Sequence, residues 1–276
     1  MQTKKVLIIT SALLLIGVQL FGMSQQPKGE QLTLTGSTTV LPIAQKAAED
    51  FMKMNPNANI SVRGGGSGVG IAALIDGTTD IANASRPMKA KEIETAKEKG
   101  ITPNEIVVSK DGIAVIVNPE NPITGITLQQ LKAIYTGKIS DWRELGGEPG
   151  KIVVVSRDVA SGTFEVFNEK VLEGEKVRND ALMLASNKAV ATTVAQTPGA
   201  IGYVGMGYLS SDVKAPPVDG IYPTKANVVS GDYSLTRSLF MYTNGEPQGL
   251  AKEFIDFILS PAGQKIVEEQ GFVSIK

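Results

Sequence analysis

The chain has 276 residues, 42% hydrophobic and 20% charged, with a formal net charge of −1 and no His or Cys. That length and apolar content can bury a sizeable core, in one large or two modest domains. The charge balance excludes a broad basic field for nucleic acid. Without Cys there are no disulfides or thiol nucleophiles, and without His the commonest general base and the usual zinc ligands are gone.

Lys4 and Lys5 precede an apolar run from Val6 to Phe21, and polar Ser24, Gln25 and Gln26 follow. Positive flank, apolar core and polar exit predict an export signal over residues 1–24, with an N-terminal anchor as the other reading of so long a run. No Cys follows, which excludes lipoprotein processing at a Cys. Under either reading the remainder is expected to be exported, periplasmic or extracytoplasmic. No other segment is long and apolar enough to span a bilayer.

Leu32 to Leu34 alternates as a short strand and runs into Gly36-Ser37-Thr38-Thr39. Pro42 then falls in the first turn of a helix, where its missing N–H costs nothing, and Ile43, Ala47 and Phe51 form an apolar stripe that ends at Asn55-Pro56. Ile60 to Arg63 is a strand feeding Gly64-Gly65-Gly66-Ser67-Gly68 and a helix through Ile71 and Leu74. Asp80 to Ala84 is a strand leading into Ser85-Arg86-Pro87, a charged helix spans Lys89 to Lys99, and strands follow at Ile106 to Val108 and Ile113 to Val117. A second block begins near Asn118-Pro119, where Thr127 caps a helix through Leu131 and Ile134. Ile152 to Val155 is a strand, and Ser161-Gly162-Thr163 opens the helix that carries Phe164, Phe167 and Val171. A helix around Val190 to Gln196, a strand over Gly199 to Val204, a strand over Leu235 to Tyr242 and two C-terminal helices, Leu250 to Leu259 and Pro261 to Gln270, complete the chain. Strand, loop and helix alternate, which predicts an α/β fold with parallel sheets covered by helices.

Three strand-to-helix turns carry hydroxyls and glycines: Gly36 to Thr39, Gly64 to Gly68, and Arg157 to Thr163. A helix start offers unpaired N–H groups and the positive end of a dipole, Ser and Thr add hydroxyl donors, and Arg adds a planar charged fork. Together such parts cradle a small oxyanion. In parallel-sheet folds the carboxyl ends of strands face one crevice, so three such turns can converge on one anion. Each turn also has a plain reading: a helix cap at Gly36 to Thr39, a flexible loop at Gly64 to Gly68, and a surface salt-bridge partner in Arg157. The glycine loop lacks the Gly-Lys-Ser/Thr of a P-loop. Asp158 reads as a loop residue rather than a base. Ser161 has no His to activate it, which argues against an enzyme; no metal or cofactor site is expected.

The sequence resembles the phosphate-binding proteins of bacterial and archaeal ABC transporters. The matching words are Leu34 to Val40, Gly64 to Gly68, Asp80 to Ser85, Arg157 with Ser161-Gly162-Thr163, and Gly199 to Tyr203. The resemblance implies a two-lobed periplasmic-binding-protein fold of type II. Each lobe would be a mainly parallel sheet flanked by helices, and a two-crossing hinge near Ile113 and Val228 would join them. Residues 30–112 plus 228–276 would form one lobe and 113–227 the other. It further implies that Ser37, Thr38, Thr39, Ser67, Ser85 and Arg86 from one lobe, and Arg157, Ser161, Gly162 and Thr163 from the other, close over inorganic phosphate. The partner would be an ABC permease and the receptor a monomer. One departure stands out: well-known members carry Asp where this chain has Arg86. Arg86 cannot accept the proton that phosphate keeps and sulfate lacks. Either it turns outward, or it adds charge and another group accepts that proton. Sulfate or another tetrahedral oxyanion is the alternative ligand, and hydrolysis of a phosphate ester a remote one.

Overall fold

The computed structural model describes residues 30–276; the expected export signal or anchor over 1–24 lies outside the described residues. Strand β1 (Glu30–Gly36) leads into helix α1 (Leu41–Met54), whose Pro42 lies in the first turn and whose Ile43, Ala47 and Phe51 are buried. Next come β2 (Ala58–Gly64), α2 (Ser67–Ile75), β3 (Ile81–Ala84), α3 (Ala90–Glu98) and the long β4 (Pro103–Val117). Helix α4 (Leu128–Tyr135) starts at Thr127, whose hydroxyl accepts from Gln130 N while the Gln130 side chain returns to Thr127 N. Then follow β5 (Val153–Arg157), α5 (Gly162–Phe167), β6 (Leu182–Leu184), α6 (Asn187–Gln196), β7 (Ala200–Gly205), α7 (Lys225–Ser230), β8 (Thr236–Asn244), α8 (Gly249–Leu259) and α9 (Pro261–Glu269). Among the described residues no helix is long and apolar enough to cross a membrane.

The strands form a curled mixed sheet in the order β2-β1-β3-β8-β4-β7-β5-β6. Its outer pairs, β1 with β2 and β3, and β5 with β6 and β7, are parallel as expected. The middle pairs, β3 with β8 and β4 with β8 and β7, are antiparallel. The reason lies in β4. The two strands expected at Ile106 to Val108 and Ile113 to Val117 are one continuous strand, with a register shift between Val107 and Ser109. Up to Gly112 it pairs with β8, and from Ile113 with β7. It thus belongs to both halves of the sheet and carries the chain from one to the other. The return passes through Tyr233 to Leu235, tied back by Ile113 N donating to Leu235 O at 2.8 Å and Tyr233 OH donating to Ile113 O at 2.8 Å.

One apolar cluster runs through both halves by way of Ile113 and Val115 of β4. In the first half, Leu32, Leu34, Ile43, Ala47 and Phe51 meet the C-terminal helices, with the Phe51 ring edge-on to Phe254 at 5.7 Å. In the second, Phe167 stacks on Tyr203 with centroids 3.9 Å apart, and Tyr135 closes the cluster. These aromatic contacts add to the area they bury and fix the floor beneath the second half's turns.

Candidate anion-binding site

Parallel pairing sets the carboxyl ends of β1, β2 and β3 on one rim and those of β5 and β6 on the facing rim. Gly36 makes the first turn feasible: its φ is +138°, and a Cβ there would lie 2.2 Å from Asn83 O. Ser37 N donates to that same carbonyl at 2.7 Å. The Ser37 hydroxyl accepts from Thr39 N at 3.1 Å, so it closes the turn and frees Thr38 and Thr39 to face the other half.

Arg157 ends β5 and is only 1% exposed. Its backbone N donates to Tyr203 OH at 3.3 Å, which anchors it to the aromatic floor. Nε donates to Leu184 O at 3.0 Å, and Nη2 to Ala185 O at 3.0 Å and Thr38 Oγ1 at 3.2 Å. Nη1 is buried with no partner among the described residues. Burial pulls the guanidinium down to about 10, so it stays charged at neutral pH. Among the described residues no carboxylate lies within salt-bridge distance of it.

Further side chains gather on the same point. Thr39 Oγ1 lies 3.0 Å from Thr163 Oγ1, bridging the two halves. Ser161 caps α5 by accepting from Phe164 N at 3.2 Å, which leaves its hydroxyl proton to point elsewhere. Gly162 stands where nothing larger fits: a Cβ would lie 2.4 Å from Ser67 Oγ and 2.8 Å from Ser85 Oγ. Ser67 Oγ in turn accepts from Ser85 N at 3.0 Å. Ser37, Thr38, Thr39, Ser67, Ser85, Arg157, Ser161, Gly162 and Thr163 therefore all lie along one closed seam.

Two expectations need revision. Arg86 is not in the cradle. Its Nη1 and Nη2 donate to the Glu92 carboxylate at 2.7 Å each, and its Nε faces Glu165 Oε2 at 2.6 Å. Carboxylates neutralise a guanidinium that the chain position alone would aim at an anion, and they hold it, still buried, away from the cradle. The glycine loop is mainly a seat for the facing half rather than a backbone nest. Gly68 N donates to Ala160 O at 2.9 Å, and a Cβ on Gly66 would lie 2.6 Å from that oxygen, so the loop docks on the facing half while Ser67 Oγ meets Ser85 at the seam.

Sequence reasoning missed three contributors. Asn187 Nδ2 donates to Thr38 Oγ1 at 3.1 Å and Thr39 Oγ1 at 3.0 Å. Its signal was present as a fourth strand-to-helix turn, Leu182 to Asn187, but β6 has only three residues. Arg237 Nη2 reaches Thr39 Oγ1 at 3.2 Å and is paired with Asp111, Nη2 to Oδ2 at 2.7 Å. Burial works against both charges, pushing the Asp111 carboxyl up and the Arg237 guanidinium down, while each partner opposes the shift in the other. Asp111 sits inside β4 and Arg237 near the start of β8, where no strand-to-helix turn marks them.

The assembled groups are hydroxyl, amide and guanidinium donors, with the Asp111 carboxylate spent on Arg237. That chemistry holds an oxyanion by charge-assisted hydrogen bonds. It supplies no group placed to deprotonate Ser161.

The sequence matches the PBP superfamily domain over residues 23–262. It is 39% identical over 259 residues to the phosphate-binding protein PstS of Bacillus subtilis, covering 91% of this chain and 85% of that one. It is 34% identical over 269 residues to PstS of Borreliella burgdorferi, covering 93% and 94%. The fold matches a phosphate ABC transporter substrate-binding protein with bound phosphate from Clostridium perfringens. The TM-score is 0.84 at 35% identity, over 90% of this chain and 100% of that one. With a crevice of converging donors and this extent of likeness, the chain belongs to the phosphate-binding protein family of the PBP superfamily.

Proposed function

We propose that the protein is the exported receptor of an ABC transporter, capturing inorganic phosphate between its two lobes and releasing it to the permease. Residues 30–112 with 228–276 form one lobe and 113–227 the other, and the receptor works as a monomer outside the cytoplasm. The observation that carries the reading is Arg157: a cation 1% exposed, without a carboxylate partner among the described residues, bonded to Thr38 of the opposite lobe. A buried charge left uncompensated is costly, and an anion at this seam removes that cost.

In this mechanism Arg157 and the Thr38, Thr39 and Thr163 hydroxyls hold the phosphate oxygens, with Ser67, Ser85, Ser161 and the Gly162 N–H completing the shell. Asn187 and Arg237 donate to the Thr38 and Thr39 oxygens and so direct those hydroxyl protons toward the guest. With Arg86 turned away, a hydroxyl or carbonyl oxygen of the shell accepts the proton that phosphate keeps. Lobe closure dries the site, and opening releases the guest.

Calorimetric titration with phosphate, arsenate and sulfate at two pH values tests this. Phosphate and arsenate are expected to bind tightly and competitively, with sulfate far weaker. Equal sulfate affinity would replace phosphate with tetrahedral oxyanions in general. No binding of any of the three would overturn the reading.

A further inference from the structure

Arg86 is held in a way that leaves one side of its guanidinium for the other half of the molecule. Within its own half, Glu92 takes Nη1 and Nη2 in a two-pronged pair at 2.7 Å each, and Nη1 also donates to Pro87 O at 2.8 Å. Glu92 is fixed in turn, accepting from Lys89 N at 2.8 Å at the start of α3. Burial raises the Glu92 carboxyl, but the bonds from Arg86 and Lys89 outweigh it and hold the group below its ordinary value. The remaining edge, Nε, faces Glu165 Oε2 at 2.6 Å, and Lys89 Nζ approaches the same oxygen at 2.9 Å. Glu165 belongs to α5, the helix opened by Ser161, Gly162 and Thr163 on the facing half. The contact is largely dry: the Arg86 side chain is 5% exposed and that of Glu165 16%. It forms part of the wall of a surface groove of about 530 Å³ bordered by Met88, Lys89, Phe164 and Glu165, so salt has access to its edge.

We infer that Arg86, with Lys89, and Glu165 form an ionic clasp across the cleft that sets how long phosphate is held, without touching it. The inference rests on the receptor reading above. Because Glu92 fixes Arg86 whether or not Glu165 is near, the clasp breaks and re-forms without rearranging the first half. Opening the cleft separates Glu165 from two cations in surroundings that screen charge poorly, which slows opening. Closing restores the pair at no ordering cost to Arg86. The clasp therefore acts on the release rate through the position of α5, and Arg86 is a positioning residue rather than a ligand to the anion.

The test is stopped-flow release of phosphate from the wild-type protein and from Glu165→Gln, paired with small-angle scattering of both proteins free of ligand. Glu165→Gln keeps the side-chain shape and leaves Arg86 bonded to Glu92, so folding is preserved. Release is expected to quicken about tenfold with association within twofold, because Glu165 makes no contact with the anion and the residues of the cradle are untouched. Raising salt should quicken wild-type release more than that of the variant. The variant free of ligand should also scatter as a more open particle. Release and scattering identical to wild type would overturn the clasp. Failure of the wild-type protein to bind phosphate would instead overturn the receptor reading, and the scattering comparison would still judge the clasp.

Discussion

Arg237 and Asp111 stand opposite each other in the β4–β8 ladder, and the guanidinium Nη2 that meets Asp111 Oδ2 at 2.7 Å also donates to Thr39 Oγ1 at 3.2 Å. Asp111 Oδ1 accepts from Met206 N of the other half at 3.0 Å. The pair thus joins the crossing strand, the cradle and the facing half. Because Asp111 neutralises Arg237, the net positive charge offered to a guest resides on Arg157. Removing one partner of a buried pair strands the other, so Asp111→Asn should destabilise the protein by about 3 kcal/mol or more. Urea denaturation of both proteins measures it.

Arg157→Ala removes the cation that the first turn and an anion share. Phosphate affinity should fall at least about 100-fold, a loss of about 3 kcal/mol. Stability without ligand should change far less, because the deleted charge is desolvated without a carboxylate partner. Calorimetry with thermal unfolding separates the two effects.

Gly162→Ala places a methyl group 2.4 Å from Ser67 Oγ and 2.8 Å from Ser85 Oγ, which belong to the opposite half. The clash exists only when the halves meet. The variant should fold normally, scatter as an opened particle and bind phosphate at least about tenfold more weakly.

Asn187→Ala deprives Thr38 Oγ1 and Thr39 Oγ1 of a shared donor and leaves Gly205 N without its acceptor. An affinity loss of about tenfold is expected by calorimetry, smaller than that of Arg157→Ala because no charge is lost.

Glu92 supplies the pH prediction. Its carboxyl is held below the ordinary value of 4.5 in the folded protein. A depressed carboxylate contributes stability that is present above the unfolded value and is lost as pH falls through the folded one. The stability gap between wild type and Glu92→Gln should therefore be full at neutral pH, begin to shrink near 4.5 and narrow further in stronger acid. Denaturation at several pH values reads it directly.

Much of the architecture was legible because it is local. Apolar spacing marks α1, the hydroxyl of Thr127 marks α4, and hydroxyl-rich bends mark the ends of β1 and β5. What escaped depends on distant partners. The orientation of Arg86 is decided by Glu92 and Glu165, and nothing in Ser85-Arg86-Pro87 reveals which neighbours it meets. Arg237 lies within a strand whose alternation looks ordinary, and its role appears only when the register sets Asp111 opposite. Asn187 was hidden by the shortness of β6, whose Leu182 and Met183 remain exposed and give no alternation. The continuity of β4 was masked by polar Ser109, Lys110 and Asp111, of which Ser109 and Asp111 are buried and bonded in the structure.

The two passages between halves run side by side, laced together where Ile113 meets Leu235 and Tyr233. Such a ribbon resists stretching and sliding but yields to rotation about its own length. Under the receptor reading, the facing walls would turn as whole bodies about this ribbon, and unloading would be a single event rather than the peeling away of one bend.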